Sequence, residues 1–312
     1  MSRKHRRPRP DVPAGWERVC AIFGNPAPPR HVWQRQFDGL DADLRRVAAM
    51  PLDRIEPGDL WYFLHDLAYV PLQPEVFDYL FPACLMFWRR TLFDGVPCTQ
   101  GDADFGWSLQ HGGALDTMMD EERREDVLVW FRDVMLERID AERGFDGVEP
   151  CHWPLPWGWI GRLNTLGHVA PVVESIWTRW WPFETPGRAV AAVEYVSGLI
   201  YFPYEDPLFE ELSRRGGTFP VERVDSSVDG PWMEPNAAFL RSTLKPGWVE
   251  ERLRAAVGRL AGEPEEEKAR RVLADLATRP DVLAIGIEDL IEDLCGRGSP
   301  EGRLPWRRSG IF

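Results

Sequence analysis

Residues 59–92 read DLWYFLHDLAYVPLQPEVFDYLFPACLMFWRRTL, and no other segment of the chain carries as much aromatic side-chain area. Burying one large apolar side chain stabilises a fold by roughly 1.5–3 kcal/mol, so this segment is expected to form the centre of the core. Proline lacks a backbone N–H and disfavours the helical conformation in the residue before it. Pro71 and Pro74 therefore predict two helices, over residues 60–68 and 75–92, joined by an elbow.

Hydrophobic spacing predicts further helices. Between His31 and Met50 apolar residues recur at intervals of four, three, four and three, which predicts one amphipathic helix over that range. Those residues are Trp33, Phe37, Leu40, Leu44 and Val47.

Residues 187–202 carry one charged side chain after Arg188, namely Glu194, and a helix that is apolar on all sides is typical of a buried position. We expect it to be the central helix of the second half of the chain.

The remaining helices are expected from the same periodicity, with Asp59 and Asp120 as N-caps and with proline or glycine near helix ends. They are predicted over residues 105–119, 121–143, 159–167, 170–181, 206–216, 236–260, 264–278 and 280–295. A short strand pair near residues 219–224 is the one β element that the sequence suggests. The fold class predicted is all-α, a globular multi-helix array of two closely packed helical halves with little or no β structure.

Breaks in the helical pattern divide the chain. Proline, glycine and tryptophan interrupt it at residues 144–158, where a boundary between the two halves is expected. The predicted parts are a disordered basic tail (1–15), an N-terminal helical half (16–150), a C-terminal helical half (151–295) and a loose C-terminal tail (296–312).

Charge constrains the class of partner. The net charge is −13, and the first ten residues carry five basic side chains and no acid, so removing those five positive charges leaves −18 for the rest of the chain. Such a body repels nucleic acid and anionic membrane surfaces and favours a basic protein partner. The alternatives are that the acidity only maintains solubility, and that the basic arm is either a solubilising tail or a contact to nucleic acid.

The number and spacing of the cysteines and the lengths of the apolar runs bear on the cellular compartment and on metal binding. The five cysteines are widely spaced without a Cys-x-x-Cys pair, and no apolar run approaches the ~18 residues of a membrane helix. Cys151 and His152, even with His111 and His168, match no common metal site. We therefore predict a cytoplasmic, reduced protein without a disulfide framework, a metal, another cofactor or a membrane association.

Catalytic chemistry has few candidate residues. The sequence contains no phosphate-binding loop, dinucleotide-binding glycine motif, His-Glu-x-x-His motif or nucleophile elbow. His65 and Asp66 are adjacent on a predicted helix and point about 100° apart, so they cannot pair with each other. The enzymatic hypothesis places an acid and base pair, His65 with Glu194, between the two halves. In it, Arg162 holds an anionic substrate. The alternative is that these residues are satisfied core groups and ion pairs. Other partners considered for His65 are Glu174, His168 and Asp78.

A second group of candidates is aromatic. Trp153, Trp157, Trp177, Trp180 and Trp181 lie close together in the sequence. Tryptophan is enriched at binding hot spots, so these side chains are candidates for a protein-docking patch. The alternative is that they fill the core.

Four short segments resemble a group of uncharacterised bacterial helical proteins of similar length. They are DLWYFLHDLAYV (59–70), ERGF (142–145), GWIGRLN (158–164) and GEPE (262–265). No activity is attached to that group, so the resemblance implies no catalytic residue and no ligand. The acidic, helical character is also similar to that of immunity proteins found beside bacterial toxins. Together with the charge, these observations predict a non-enzymatic interaction protein, an immunity or inhibitor-type binder of a basic protein.

Overall fold

The computed structural model describes residues 15–94, 98–145, 158–201, 208 and 231–295. All regular secondary structure in these ranges is helical, with fourteen α-helices, one 3-10 turn and no strand. The predicted all-α class is therefore confirmed for the described part of the chain. The predicted strand pair at 219–224, the helix at 206–216 and both terminal tails lie outside the described residues, apart from Leu208 and Gly15.

The helices of the first half are α1 (Trp16–Ile22), α2 (Asp41–Ala48), α3 (Pro57–Tyr69), α4 (Pro74–Asp94), α5 (Cys98–Gly112), α6 (Ala114–Thr117) and α7 (Glu121–Asp140). Those of the second half are α8 (Gly158–Val169), α9 (Val173–Trp180), α10 (Pro186–Ile200), α11 (Glu234–Thr243), α12 (Pro246–Arg259), α13 (Glu266–Thr278) and α14 (Pro280–Leu294). Helices α3, α4, α10, α12 and α14 each begin with proline, which suits the first helical position because no N–H is needed there.

The two helices predicted around the proline elbow are present as α3 and α4, and both contribute buried aromatic and aliphatic side chains to the core. Among the fully buried residues are Leu60, Phe63, Phe77, Leu80 and Phe81. The predicted cap of α3 is corrected in one detail. The N-cap residue is Glu56, and Asp59 accepts a hydrogen bond from its backbone N–H as the third residue of a capping box.

Helix α10 is the central helix of the second half, as its apolar composition predicts. Every residue in it is buried except Pro186 and Glu194. It packs against α7, α8, α12, α13 and α14, so it contacts helices from both halves. Gly286 of α14 permits one of these contacts, since a Cβ there would lie 2.2 Å from the carbonyl oxygen of Leu199.

A partly buried ion pair joins the end of α7 to the start of α10. The Arg188 guanidinium donates to both carboxylate oxygens of Asp140, at 2.8 and 3.2 Å, and also donates to the backbone oxygen of Arg179. The Thr185 hydroxyl donates to the same Asp140 carboxylate at 2.6 Å. With α5 packed on α8 and α7 packed on α9, the buried residues of the two halves form one continuous hydrophobic core.

Three predicted helices have different boundaries. The helix expected over residues 105–119 begins earlier, at Cys98, and is divided into α5 and α6 at Gly113, which has a φ of +56°. The helix expected over residues 31–50 begins only at Asp41, and residues 31–40 are not helical. The helix expected over residues 236–260 is divided into α11 and α12 at Leu244 and Lys245, because the residue before Pro246 is extended.

Candidate functional site

The 31–40 segment crosses α3 in a non-helical conformation and is held there by a buried carboxylate. Asp66 of α3 has no solvent exposure. Its two carboxylate oxygens accept hydrogen bonds from the backbone N–H of Phe37 and from the side-chain amide of Gln34, each at 2.9 Å. Asp66, a catalytic candidate in the sequence, therefore fixes the position of a surface segment.

Two buried glutamines hold the beginning of the same segment. The backbone N–H of Gln34 donates to the side-chain oxygen of Gln73 at 3.3 Å, and the backbone N–H of Gln73 donates to the side-chain oxygen of Gln34 at 3.0 Å. Gln73 also accepts from the backbone N–H of Trp33 at 2.8 Å and donates to the backbone oxygen of His31 at 2.7 Å. These bonds satisfy backbone groups that a helix would otherwise satisfy.

Burial changes the acidity of Asp66. Desolvation is the largest influence and raises its pKa from 3.8 to about 6. The hydrogen bonds from Phe37 and Gln34 oppose this shift, while the negative charges of Asp38 and Asp41 add to it.

Large aromatic side chains are exposed around this segment, although most others in the described chain are buried. Phe37 is 54% exposed and Tyr69 is 50% exposed, and their rings stack at a centroid distance of 4.3 Å with an interplanar angle of 20°. We call the following six residues the docking surface: Trp33, Phe37, Asp38, Tyr62, His65 and Tyr69. A cluster of exposed aromatic side chains on a protein that buries most of its rings is typical of an interaction site.

The aromatic contacts continue from the docking surface to a cavity. Tyr69 contacts Trp107 at a centroid distance of 5.3 Å, and Trp107 stacks on His111 at 4.3 Å. Tyr69 and His111 both line an open cavity of about 410 Å³, together with Leu67, Pro71, Gly112 and Met118. The stacked rings and the cavity therefore form one continuous surface.

Asp38 gives the docking surface its charge. Its carboxylate lies 3.7 Å from Nδ1 of His65, and both side chains are about one third exposed. The neighbouring carboxylates are already paired, Asp41 with Arg35 and Asp43 with Arg46. Within the described ranges Asp38 has no arginine or lysine partner, so its negative charge is available to a cationic group.

The predicted acid and base pair of His65 with Glu194 is not formed. The carboxylate beside His65 is that of Asp38, and the imidazole also contacts the Trp61 ring. The reason is the packing of the helices, since α3 packs on α2, α4 and α5, whereas Glu194 belongs to α10.

The other residues of the enzymatic hypothesis are also dispersed. Asp78 pairs with Arg123 at 2.7 Å, and His168 is buried beside the backbone oxygen of Pro231 at 3.2 Å. The Arg162 side chain lies outside the described residues, so its role stays a prediction. Among the described residues, no group of three or more histidine, cysteine, aspartate or glutamate side chains is arranged to hold a metal ion.

The predicted tryptophan patch is wrong for three of its members. Trp177, Trp180 and Trp181 are at most 3% exposed. They contact one another, and Trp177 also stacks on Trp248 of α12 at a centroid distance of 5.6 Å. They fill the core of the second half because α9 packs with one face inward. Trp153 and Trp157 lie outside the described residues.

Comparison of the chain with protein-family models, curated proteins and solved structures finds no match. The resemblance to bacterial helical proteins therefore stays a prediction. Among the described helices, none combines the length and the apolar character that a membrane crossing requires.

Sequence reasoning did not identify the docking surface. Two signals point to it in retrospect. Asp38 and Gly39 form a turn dipeptide inside the apparent helical stripe, and Gly39 has a φ of +74°. Gln73 is an amide between Leu72 and Pro74 in the proline elbow, where a polar side chain indicates a hydrogen bond to nearby backbone groups.

Proposed function

We propose that this protein is a non-enzymatic interaction protein that binds a basic protein partner through the docking surface. The observation that carries the proposal is the exposed, stacked pair of Phe37 and Tyr69 beside the carboxylate of Asp38, which among the described residues contacts His65 and no arginine or lysine. Aromatic side chains provide binding energy at the centre of protein interfaces, and a neighbouring charge selects the partner.

The charge of the whole chain supports the same partner class. Outside its first ten residues the chain carries a net charge of −18, which attracts a basic protein over a longer range than any single contact. We further propose a cytoplasmic location and an inhibitor or immunity-type role, in which the protein occupies a functional surface of its partner.

Rigid support for the segment also favours a binding role. The hydrogen bonds that Asp66 accepts from Phe37 and Gln34, and those between Gln34 and Gln73, fix the backbone that presents Phe37 and Asp38. A pre-organised surface loses less conformational entropy when it binds, so more of the contact energy appears as affinity.

The test is affinity capture from a lysate of the source organism at low salt, followed by identification of the retained proteins. The wild-type chain is compared with the double variant Phe37→Ser, Asp38→Asn. A matched control carries Ile285→Ser and Glu267→Gln, which remove one exposed apolar and one exposed acidic side chain on α14 and α13.

We expect the wild type and the control to retain the same stoichiometric partner of basic isoelectric point, and the double variant to lose it. Recovery of no stoichiometric partner, or equal recovery with the double variant, would contradict the proposal. Circular dichroism and thermal unfolding of each variant establish that the fold is kept.

A further inference from the structure

We infer that the docking surface receives an arginine side chain of the basic partner, with the guanidinium stacked on Phe37 and paired with Asp38. The same partner segment places an apolar side chain in the cavity between Tyr69 and His111. This inference rests on the proposed function and specifies the chemistry that the partner must present.

The aromatic part of the site combines one stacked ring contact with a large exposed area. Phe37 and Tyr69 stack nearly parallel, so Tyr69 covers one face of the Phe37 ring. Phe37 is nevertheless 54% exposed, so a large part of this residue stays in contact with water. A guanidinium is planar and weakly hydrated, and it stacks on aromatic faces, so it extends this pair naturally.

The carboxylate lies next to the ring because of the register of the segment on α3. Phe37 contacts Tyr69, and Asp38 contacts His65. His65 and Tyr69 are four residues apart on one helix, so the two contacts lie about one helical turn apart, about 6 Å along the axis. A single arginine side chain spans that separation, with its plane on the ring and its N–H groups directed to the carboxylate.

Among the described residues, no arginine or lysine is paired with Asp38, and its one close partner is the His65 imidazole at 3.7 Å. Arg35, the closest arginine in the segment, is paired with Asp41, and Arg46 is paired with Asp43 and Asp59. The charge of the site is therefore complementary to a cationic side chain supplied from outside.

The cavity indicates which second side chain the partner segment carries beside the arginine. It shares Tyr69 with the stacked pair, and its lining combines the apolar residues Leu67, Pro71 and Met118 with polar groups such as His111 and Thr117. Its volume of about 410 Å³ accommodates an aliphatic side chain of the partner. An extended segment with arginine and leucine close in sequence satisfies both parts of the site.

The experiment measures the binding of a short fluorescein-labelled peptide of alternating arginine and leucine to the full chain by fluorescence anisotropy at low salt. Three matched peptides replace arginine with lysine, arginine with glutamate, or leucine with serine. The protein variants are Phe37→Ser, Phe37→Leu and Asp38→Asn, with Ile285→Ser and Glu267→Gln as controls.

We expect the arginine peptide to bind about threefold or more tightly than the lysine peptide, because lysine is a compact charge without a stacking plane. Phe37→Ser, Phe37→Leu and Asp38→Asn each weaken binding by about two- to fivefold, and the two controls do not. The glutamate peptide does not bind, and the serine peptide binds more weakly because it leaves the cavity empty.

Equal binding of the arginine and lysine peptides, or equal losses in the control variants, would overturn the inference. If capture from the lysate still depends on Phe37 and Asp38 in that case, the proposed function stands and only the arginine assignment fails. If the arginine peptide binds as expected and the lysate yields no partner, the arginine site stands and the proposed function fails.

Discussion

The buried carboxylate of Asp66 accepts a hydrogen bond of 2.9 Å from the backbone N–H of Phe37, a residue 29 positions earlier in the chain. This bond joins the last turn of α3 to an exposed part of the 31–40 segment. It connects the stability of the core to the geometry of the docking surface, because the residue that donates the bond also carries the exposed ring.

Replacement of Asp66 by alanine is expected to destabilise the protein by about 1–3 kcal/mol. The substitution leaves the Phe37 N–H and the Gln34 amide without their acceptor, and unsatisfied buried donors carry a cost of this size. Urea unfolding followed by circular dichroism measures the loss. A change below about 0.5 kcal/mol would show that water replaces the carboxylate without penalty.

The ionisation of Asp66 is expected to make stability depend on pH. Burial raises its pKa to about 6, above the value of about 3.9 for an unfolded chain, so the folded state retains its proton to higher pH. The stability that this group contributes is present below pH ~3.9 and is lost as the pH rises through about 6.

The measurement compares the free energy of unfolding of the wild type and of Asp66→Asn between about pH 4 and pH 7. The advantage of the wild type should shrink as the pH rises. In Asp38→Asn the NMR titration midpoint of Asp66 should move down, since the charge of Asp38 raises its pKa. A midpoint below about 4 in the wild type would contradict this account.

The reciprocal bonds between Gln34 and Gln73 are expected to control the order of the 31–40 segment. Each glutamine accepts from the backbone N–H of the other, so Gln34→Ala and Gln73→Ala should be coupled by about 0.5–3 kcal/mol in a double-mutant cycle. Hydrogen exchange should accelerate at the amides of Trp33 and Phe37 and remain slow in α10. Additive effects of the two substitutions would exclude the coupling.

Gly112 is expected to be intolerant of a side chain. A Cβ at this position would lie 1.6 Å from the backbone oxygen of Leu67, so Gly112→Ala must separate α5 from α3 at a cost of about 1–3 kcal/mol or more. Gly258→Ala in α12 is the matched control, because its Cβ would meet no atom within 4 Å and alanine favours a helix. Thermal unfolding should show a lower midpoint for the first variant and an equal or higher midpoint for the second.

The local pattern of the sequence determined most of the helical framework. Prolines at positions 57, 74, 186, 246 and 280 mark helix starts, and the apolar composition of α10 predicts its central, buried place. These features act within one helix, through backbone chemistry and the burial of an apolar surface, so a single sequence reveals them.

Only the tertiary structure decided the conformation of residues 31–40 and the position of the candidate site. Trp33, Phe37 and Leu40 have helical spacing, but the acceptors for the backbone of this segment come from Asp66 and Gln73, and Gln73 lies 40 residues beyond Trp33. Local spacing carries no information about such distant partners. Once those side chains satisfy the backbone N–H groups, the segment no longer needs to be a helix, and its aromatic residues remain at the surface.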